Sequence, residues 1–100
     1  MKIAIASSGK NANAEISSIP GRAPYFLIYE NKKLSNTIKN PFAMGGGGAG
    51  FGVVKMLKDK GVDLIVAEHF GEKMLDALKE RNIKKQVLTR IKIKEAIKIL

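Results

Sequence analysis

A dense run of glycines marks the part of this sequence best suited to binding. Six of the ten glycines fall between positions 45 and 52, just after Met44. Glycine is favoured where the backbone turns with positive φ or presses against a ligand. An amphipathic segment follows directly, and the N–H groups at a helix start bind anions. We therefore predict an anion-binding loop that contains Gly45, Gly46, Gly47, Gly48 and Gly50. A flexible linker is the alternative for the run, and close packing is the alternative reason for glycine at positions 50 and 52.

Three side chains elsewhere could complete such a site. His69 follows a buried strand pattern, at the carboxyl edge of the predicted sheet, where open α/β sheets bind ligands. Arg22 could clamp an anion or bond loop carbonyls. Ser8 could donate to a ligand or serve a turn. The predicted metal-binding side chains are His69 and, as a weak thioether ligand, Met44.

The same residues argue against several catalytic chemistries. No Gly-Lys-Ser/Thr follows the glycines, which excludes a Walker A loop. Gly45, Gly47 and Gly50 have the spacing of a dinucleotide fingerprint, but they follow a predicted hairpin rather than a parallel strand. A single histidine and the lack of clustered carboxylates leave little equipment for acid–base catalysis. A non-catalytic binding protein is therefore expected.

Composition limits the class of protein further. The chain has 100 residues, a formal net charge of +9 and no cysteine. This length predicts one domain over residues 1–100, and the lack of thiols excludes thiolate ligands. No apolar run is long enough to span a bilayer and no signal peptide is evident, so a cytoplasmic protein is expected. The excess charge suits an anionic ligand or solvated helix faces. Nucleic acid is the less favoured partner, because no RNA-binding signature is present.

Hydrophobic periodicity places the candidate residues on an α/β framework. Asn31-Lys32 is predicted to turn a hairpin, and Gly61 and Asn82 are predicted to end helices. Helices between strands favour a mostly parallel sheet, to which the hairpin adds one antiparallel strand. The predicted strands are Lys2–Ser7, Pro24–Glu30, Lys33–Lys39, Val62–Ala67 and Ile83–Leu88, and the predicted helices are Ala49–Lys60, Glu72–Arg81 and Ile93–Leu100.

Three segments carry a family likeness. They are Gly-Arg-Ala-Pro-Tyr-Phe-Leu-Ile-Tyr-Glu at 21–30, Asn-Pro at 40–41 leading into Gly-Gly-Ala-Gly at 47–50, and Gly-Val-Asp-Leu-Ile-Val at 61–66 followed by Gly71. Together they resemble the dinitrogenase iron–molybdenum cofactor biosynthesis family, the nitrogenase accessory factor domains. Many members of that family carry histidines where Ile19-Pro20 and Met44-Gly45 stand here.

The resemblance implies both a fold and a ligand. The fold would be ribonuclease H-like, with three α/β/α layers around a five-stranded mixed sheet. The ligand would be an iron–molybdenum cofactor or an iron–sulfur precursor, held by a carrier or escort rather than by a catalyst. Two alternatives stay open: a protein- or RNA-interaction module without a cofactor, and an enzyme that acts on a nucleotide or phosphate.

Overall fold

The computed structural model describes residues 1–18, 20–44 and 49–100. All of the predicted strands and helices are present, and their ends differ from the predictions by at most two residues. A 3₁₀ turn, Pro20–Arg22, precedes the second strand. In chain order the strands are β1 (Lys2–Ser7), β2 (Tyr25–Glu30), β3 (Lys33–Lys39), β4 (Leu64–Ala67) and β5 (Lys84–Val87), and the helices are α1 (Ala49–Asp59), α2 (Glu72–Glu80) and α3 (Ile93–Ile99).

The strands form one five-stranded sheet in the order β3-β2-β1-β4-β5. β1 pairs antiparallel with β2 and parallel with β4, while β2 is also antiparallel to β3 and β4 is parallel to β5. β2 is therefore the one antiparallel strand among the described strands. The ribonuclease H-like arrangement with a mixed sheet is confirmed.

Helices cover both faces of the sheet. α1 and α2 pack on one face, where Phe26 and Ile28 of β2 and Ile65 of β4 lie in the same apolar cluster as Val53 and Leu57. α3 packs on the other face, where its buried residues Ile93 and Ala96 join Ile5, Leu27 and Val66. Side chains alternate between the faces along each strand, so β1, β2 and β4 supply both apolar clusters.

Gly61 and Asn82 adopt left-handed backbone conformations and end α1 and α2, as the sequence predicts. Gly61 has φ +82°, and the next N–H, that of Val62, donates to the Leu57 carbonyl at 3.1 Å. Asn82 has φ 55° and the Ile83 N–H donates to the Leu78 carbonyl at 3.0 Å. Both are Schellman endings, and each turns the chain straight into the next strand. β4 begins at Leu64, two residues after the predicted start.

The segment after β1 lies across the carboxyl ends of the adjacent strands β1 and β4. The Ser17 N–H donates to the Ala6 carbonyl at 2.8 Å, and the Ser17 carbonyl accepts from the Glu68 N–H at 3.3 Å. The loop therefore bridges the ends of β1 and β4, where the strand order reverses. Among the described residues, no helix is long and apolar enough to cross a membrane.

Candidate ligand-binding pocket

A cavity of about 470 Å³ opens between the starts of α1 and α2. It contains three of the residues that the sequence singles out, Arg22, Gly50 and His69, although these are far apart in the chain. The 3₁₀ turn, the first turn of each helix and the β4–α2 connection build its wall. The lining residues are Gly21, Arg22, Ala49, Gly50, His69, Gly71, Glu72, Lys73 and Met74.

Close backbone packing at two glycines brings these elements together. A Cβ built on Gly21 would lie 3.4 Å from the backbone nitrogen of Gly50, and one built on Gly50 would lie 3.1 Å from the Met74 Cβ. A Cβ on Gly52 would lie only 2.5 Å from the Phe42 ring. Gly50 and Gly52 therefore allow close packing of α1, which explains why glycine continues into a helix that it disfavours.

Arg22 is positioned by a buried amide that the sequence reasoning missed. The Asn40 side chain, in a residue only 3% exposed, donates from Nδ2 to the Gly21 and Ala23 carbonyls at 3.1 and 2.9 Å. Its Oδ1 accepts the Phe42 N–H at 2.9 Å, and Arg22 Nη1 donates to the Phe42 carbonyl at 3.3 Å. Asn40 thus joins the chain before β2 to the chain after β3. The available signal was an asparagine before proline at a strand end, where such amides bond nearby backbone.

The pocket is electropositive. Both helices direct their N-terminal ends toward it, and helix N-termini carry partial positive charge. In the described chain no side chain caps α2 at Gly71, so its first N–H groups are not taken up by a capping side chain. The cations of Arg22 and Lys73 outnumber the carboxylate of Glu72, and this balance favours an anionic ligand.

The other predicted site residues lie elsewhere. The Ser8 hydroxyl donates to the Glu15 carbonyl at 3.0 Å and does not line the pocket. Met44 is 89% exposed and borders a separate cavity of about 600 Å³ on the other side of Arg22. Gly45, Gly46, Gly47 and Gly48 are outside the described residues.

The side chains that line the pocket suit some metal-containing ligands better than others. In residues 1–18, 20–44 and 49–100, no three His, Cys, Asp or Glu side chains gather in a metal-binding group. His69 is exposed, and the described lining groups of metal-binding type are its imidazole, the Glu72 carboxylate and the weak thioether of Met74. The lining fits an anionic cluster held mainly by charge and hydrogen bonds. It does not fit one enclosed by thiolates, since the chain has no cysteine.

These features define a small α/β protein of ribonuclease H-like fold with an electropositive pocket between two helix starts. Over residues 1–100 the chain matches the family described as dinitrogenase iron-molybdenum cofactor. The protein belongs to this family of small, cofactor-associated proteins.

Solved structures agree with this assignment. A Thermotoga protein of the DUF35 family, provisionally named a NifB protein, is 31% identical with a TM-score of 0.82, and the match covers 97% of this chain and 84% of that one. The apo form of the orange protein from Desulfovibrio gigas has a TM-score of 0.88 at 22% identity, over 97% of this chain and 83% of that one, and supports the fold alone. No curated protein matches the chain.

Proposed function

We propose that this protein is a non-catalytic carrier that binds an anionic metallocluster, an iron–molybdenum cofactor or an iron–sulfur precursor of it. The observation that carries the proposal is the convergence of Arg22, His69 and the start of α1 at Gly50 on one cavity. The family assignment supports a ligand of this class. The ligand is cargo in this proposal, so the protein binds and releases it without changing it.

Each part of the pocket has a role in holding such a ligand. The cations of Arg22 and Lys73 and the uncapped N–H groups at the start of α2 attract and orient the negative charge of the cluster. The exposed imidazole of His69 supplies one coordinate bond. A carrier must also release its ligand. An open pocket with a single coordinating imidazole suits such reversible binding.

The contacts around the pocket support a preformed binding site. Asn40 and the close contact of Gly50 with Met74 hold the lining elements rigidly from behind. A preformed pocket loses little entropy when it binds. From the sequence alone, we also propose that the glycines at 45–48, which precede Ala49 in the chain, contribute further backbone N–H groups to the ligand.

Anaerobic titration tests the proposal. The purified protein is titrated with isolated iron–molybdenum cofactor, and in parallel with tetrathiomolybdate and with phosphate, by absorption spectroscopy and calorimetry. We expect the cofactor to bind and its spectrum to change on coordination. Binding of phosphate or tetrathiomolybdate alone would indicate a small-anion carrier, and binding of none of the probes would contradict the proposal.

Variants locate the site. His69→Ala is expected to abolish the spectral change, and Lys73→Gln to weaken binding about tenfold or more, which corresponds to about 1.5–3 kcal/mol for a charged hydrogen bond. Arg90→Gln, which removes a positive charge outside the described pocket lining, is the matched control and should bind as the wild type does. Equal weakening by Lys73→Gln and Arg90→Gln would show that net charge alone is responsible.

A further inference from the structure

The positive charge of the protein is concentrated in its last twenty residues. This segment contains seven Lys or Arg and a single acid, Glu95, and so accounts for six of the nine net positive charges. It forms β5, the connection that follows, and α3. Every residue of β5 is exposed, including Lys84, Lys85 and Val87. The candidate ligand pocket uses none of these residues.

β5 is also an open edge of the sheet. In the described part of the chain it is hydrogen-bonded on one side only, to β4. The Lys84 and Leu88 N–H groups donate toward β4, to the carbonyls of Asp63 at 2.9 Å and Ala67 at 3.1 Å. Because N–H directions alternate along a strand, the N–H groups of Lys85 and Val87 point outward. They are available to an added strand.

A groove runs beside this edge. A cavity of about 620 Å³ lies between α2 and β5. Leu75, Leu78 and Ile83 give it an apolar floor, while Lys79 and Lys85 add positive charge and Asp76 supplies its single described acid. Lys85 is in register with Ile65 of the α1–α2 side of the core, so its side chain leans toward this groove.

We propose that this edge is a docking surface for an acidic, extended segment of a partner protein, which adds to β5 as a sixth strand. The outward N–H groups of Lys85 and Val87 bind its backbone. Its carboxylates pair with the lysines, and an apolar side chain fills the groove between α2 and β5. This inference goes beyond the proposed ligand carrier and does not depend on it.

Two other occupants are disfavoured by the same residues. A second copy of the chain would bring β5 lysines against β5 lysines, and like charges on an edge oppose such pairing. Single-stranded nucleic acid is bound by basic residues together with stacking aromatics. The six aromatic residues all lie before position 81 and none belongs to β5 or α3, whereas the apolar groove suits a polypeptide side chain.

A labelled synthetic peptide of alternating glutamate and valine is the probe. Fluorescence polarisation measures its binding to the wild-type protein, and amide hydrogen exchange identifies the contacted backbone. We expect the peptide to bind and the Lys85 and Val87 amides to become protected. The comparison probes are the same peptide with lysine in place of glutamate, and a single-stranded DNA oligonucleotide of equal charge, neither of which should give this protection.

Two pairs of variants separate strand addition from general charge attraction. Val87→Pro removes an outward N–H and spares the β4 pairing, so it should abolish binding, whereas Val87→Thr keeps that N–H and should retain it. Lys85→Glu should weaken binding about tenfold, whereas Lys33→Glu at the opposite edge changes net charge equally and should have little effect. Amide spectra of each variant confirm that it is folded.

Three results would overturn the proposal. One is peptide binding without protection of the Lys85 and Val87 amides. Another is equal weakening by Lys85→Glu and Lys33→Glu. The third is oligonucleotide binding that is tighter than peptide binding and insensitive to Val87→Pro, which would assign this face to nucleic acid instead.

Discussion

Gly50 of α1 packs directly against Met74 of α2, and a Cβ placed on Gly50 would lie 3.1 Å from the Met74 Cβ. This contact sets the distance between the two helix starts that form the pocket. A glycine in the densest glycine segment of the sequence thus has a packing role, and it shapes the space in which Arg22 and His69 meet.

Gly50→Ala should lower the free energy of unfolding by about 1–2 kcal/mol. Overpacking costs about 1–3 kcal/mol, and alanine's greater helix preference recovers up to about 1 kcal/mol. Urea denaturation measures the change. Gly71→Ala is the comparison, because a Cβ there meets no atom within 4 Å and the backbone φ is −74°, so its cost should be limited to the preference for glycine over alanine at an N-cap, under about 1 kcal/mol. A cost as large for Gly71→Ala would contradict the packing argument.

Asn40→Ala should destabilise the protein by about 2–3 kcal/mol, since it leaves buried carbonyl and N–H groups without their partner. The exposed Asn36 of β3 offers the control, and Asn36→Ala should stay within about 0.5 kcal/mol of the wild type. Denaturation curves compare the two variants. If both cost the same, Asn40 does not tie the chain before β2 to the chain after β3.

Lys32→Gly should stabilise the protein by about 0.5–1 kcal/mol. Asn31 and Lys32 have φ values of 52° and 64° in the β2–β3 turn, and glycine adopts this region without the strain of a side chain. Lys33→Gly, one residue further and inside β3, should instead destabilise by a similar amount. Melting temperatures of the two variants should therefore move in opposite directions, and a shared direction would refute the turn assignment.

Tyr29 should make the protein sensitive to alkali. Burial raises the pKa of Tyr29 above its ordinary value of 10.0, because a buried phenolate loses hydration. The unfolded chain therefore ionises first, and the stability that Tyr29 contributes is present below pH 10 and is lost as the pH rises through the folded pKa.

Tyr29→Phe tests this sensitivity. Between about pH 9 and pH 12, the melting temperature of the wild type should fall more steeply than that of Tyr29→Phe. Absorbance titration of the phenolate provides an independent reading of the Tyr29 pKa. Parallel loss of stability in the two proteins would assign the alkaline sensitivity to other groups.

Local patterns in the sequence were sufficient to predict the elements. Within the described residues, apolar periodicity located each strand and each α-helix, and Gly61 and Asn82 predicted two helix endings that depend on backbone conformation alone. These features follow from a residue and its near neighbours. The order of the elements predicted a mostly parallel sheet with one antiparallel strand, and the resemblance to a family added the ribonuclease H-like fold.

The candidate site was predicted only in part. Arg22, Gly50 and His69 were chosen from the sequence and do share a cavity, whereas Met44 and Ser8 were chosen with them and lie outside it. The role of Asn40 and the place of Lys73 in the pocket lining were not foreseen. The hydrogen bonds of Asn40 join residues far apart in the chain, and such distances are invisible to local patterns.

By itself, the sequence determined the order and type of the elements, the positive charge, and the lack of thiol ligands. Only the tertiary structure decided which polar groups converge. The cavity exists because Gly50 lets α1 approach α2, and because Asn40 ties Arg22 to the end of β3. The structure also decided that the lysines of β5 lie at an edge of the sheet, because β5 is the last strand in the order. An edge strand pairs on one side, which leaves its outer N–H groups exposed.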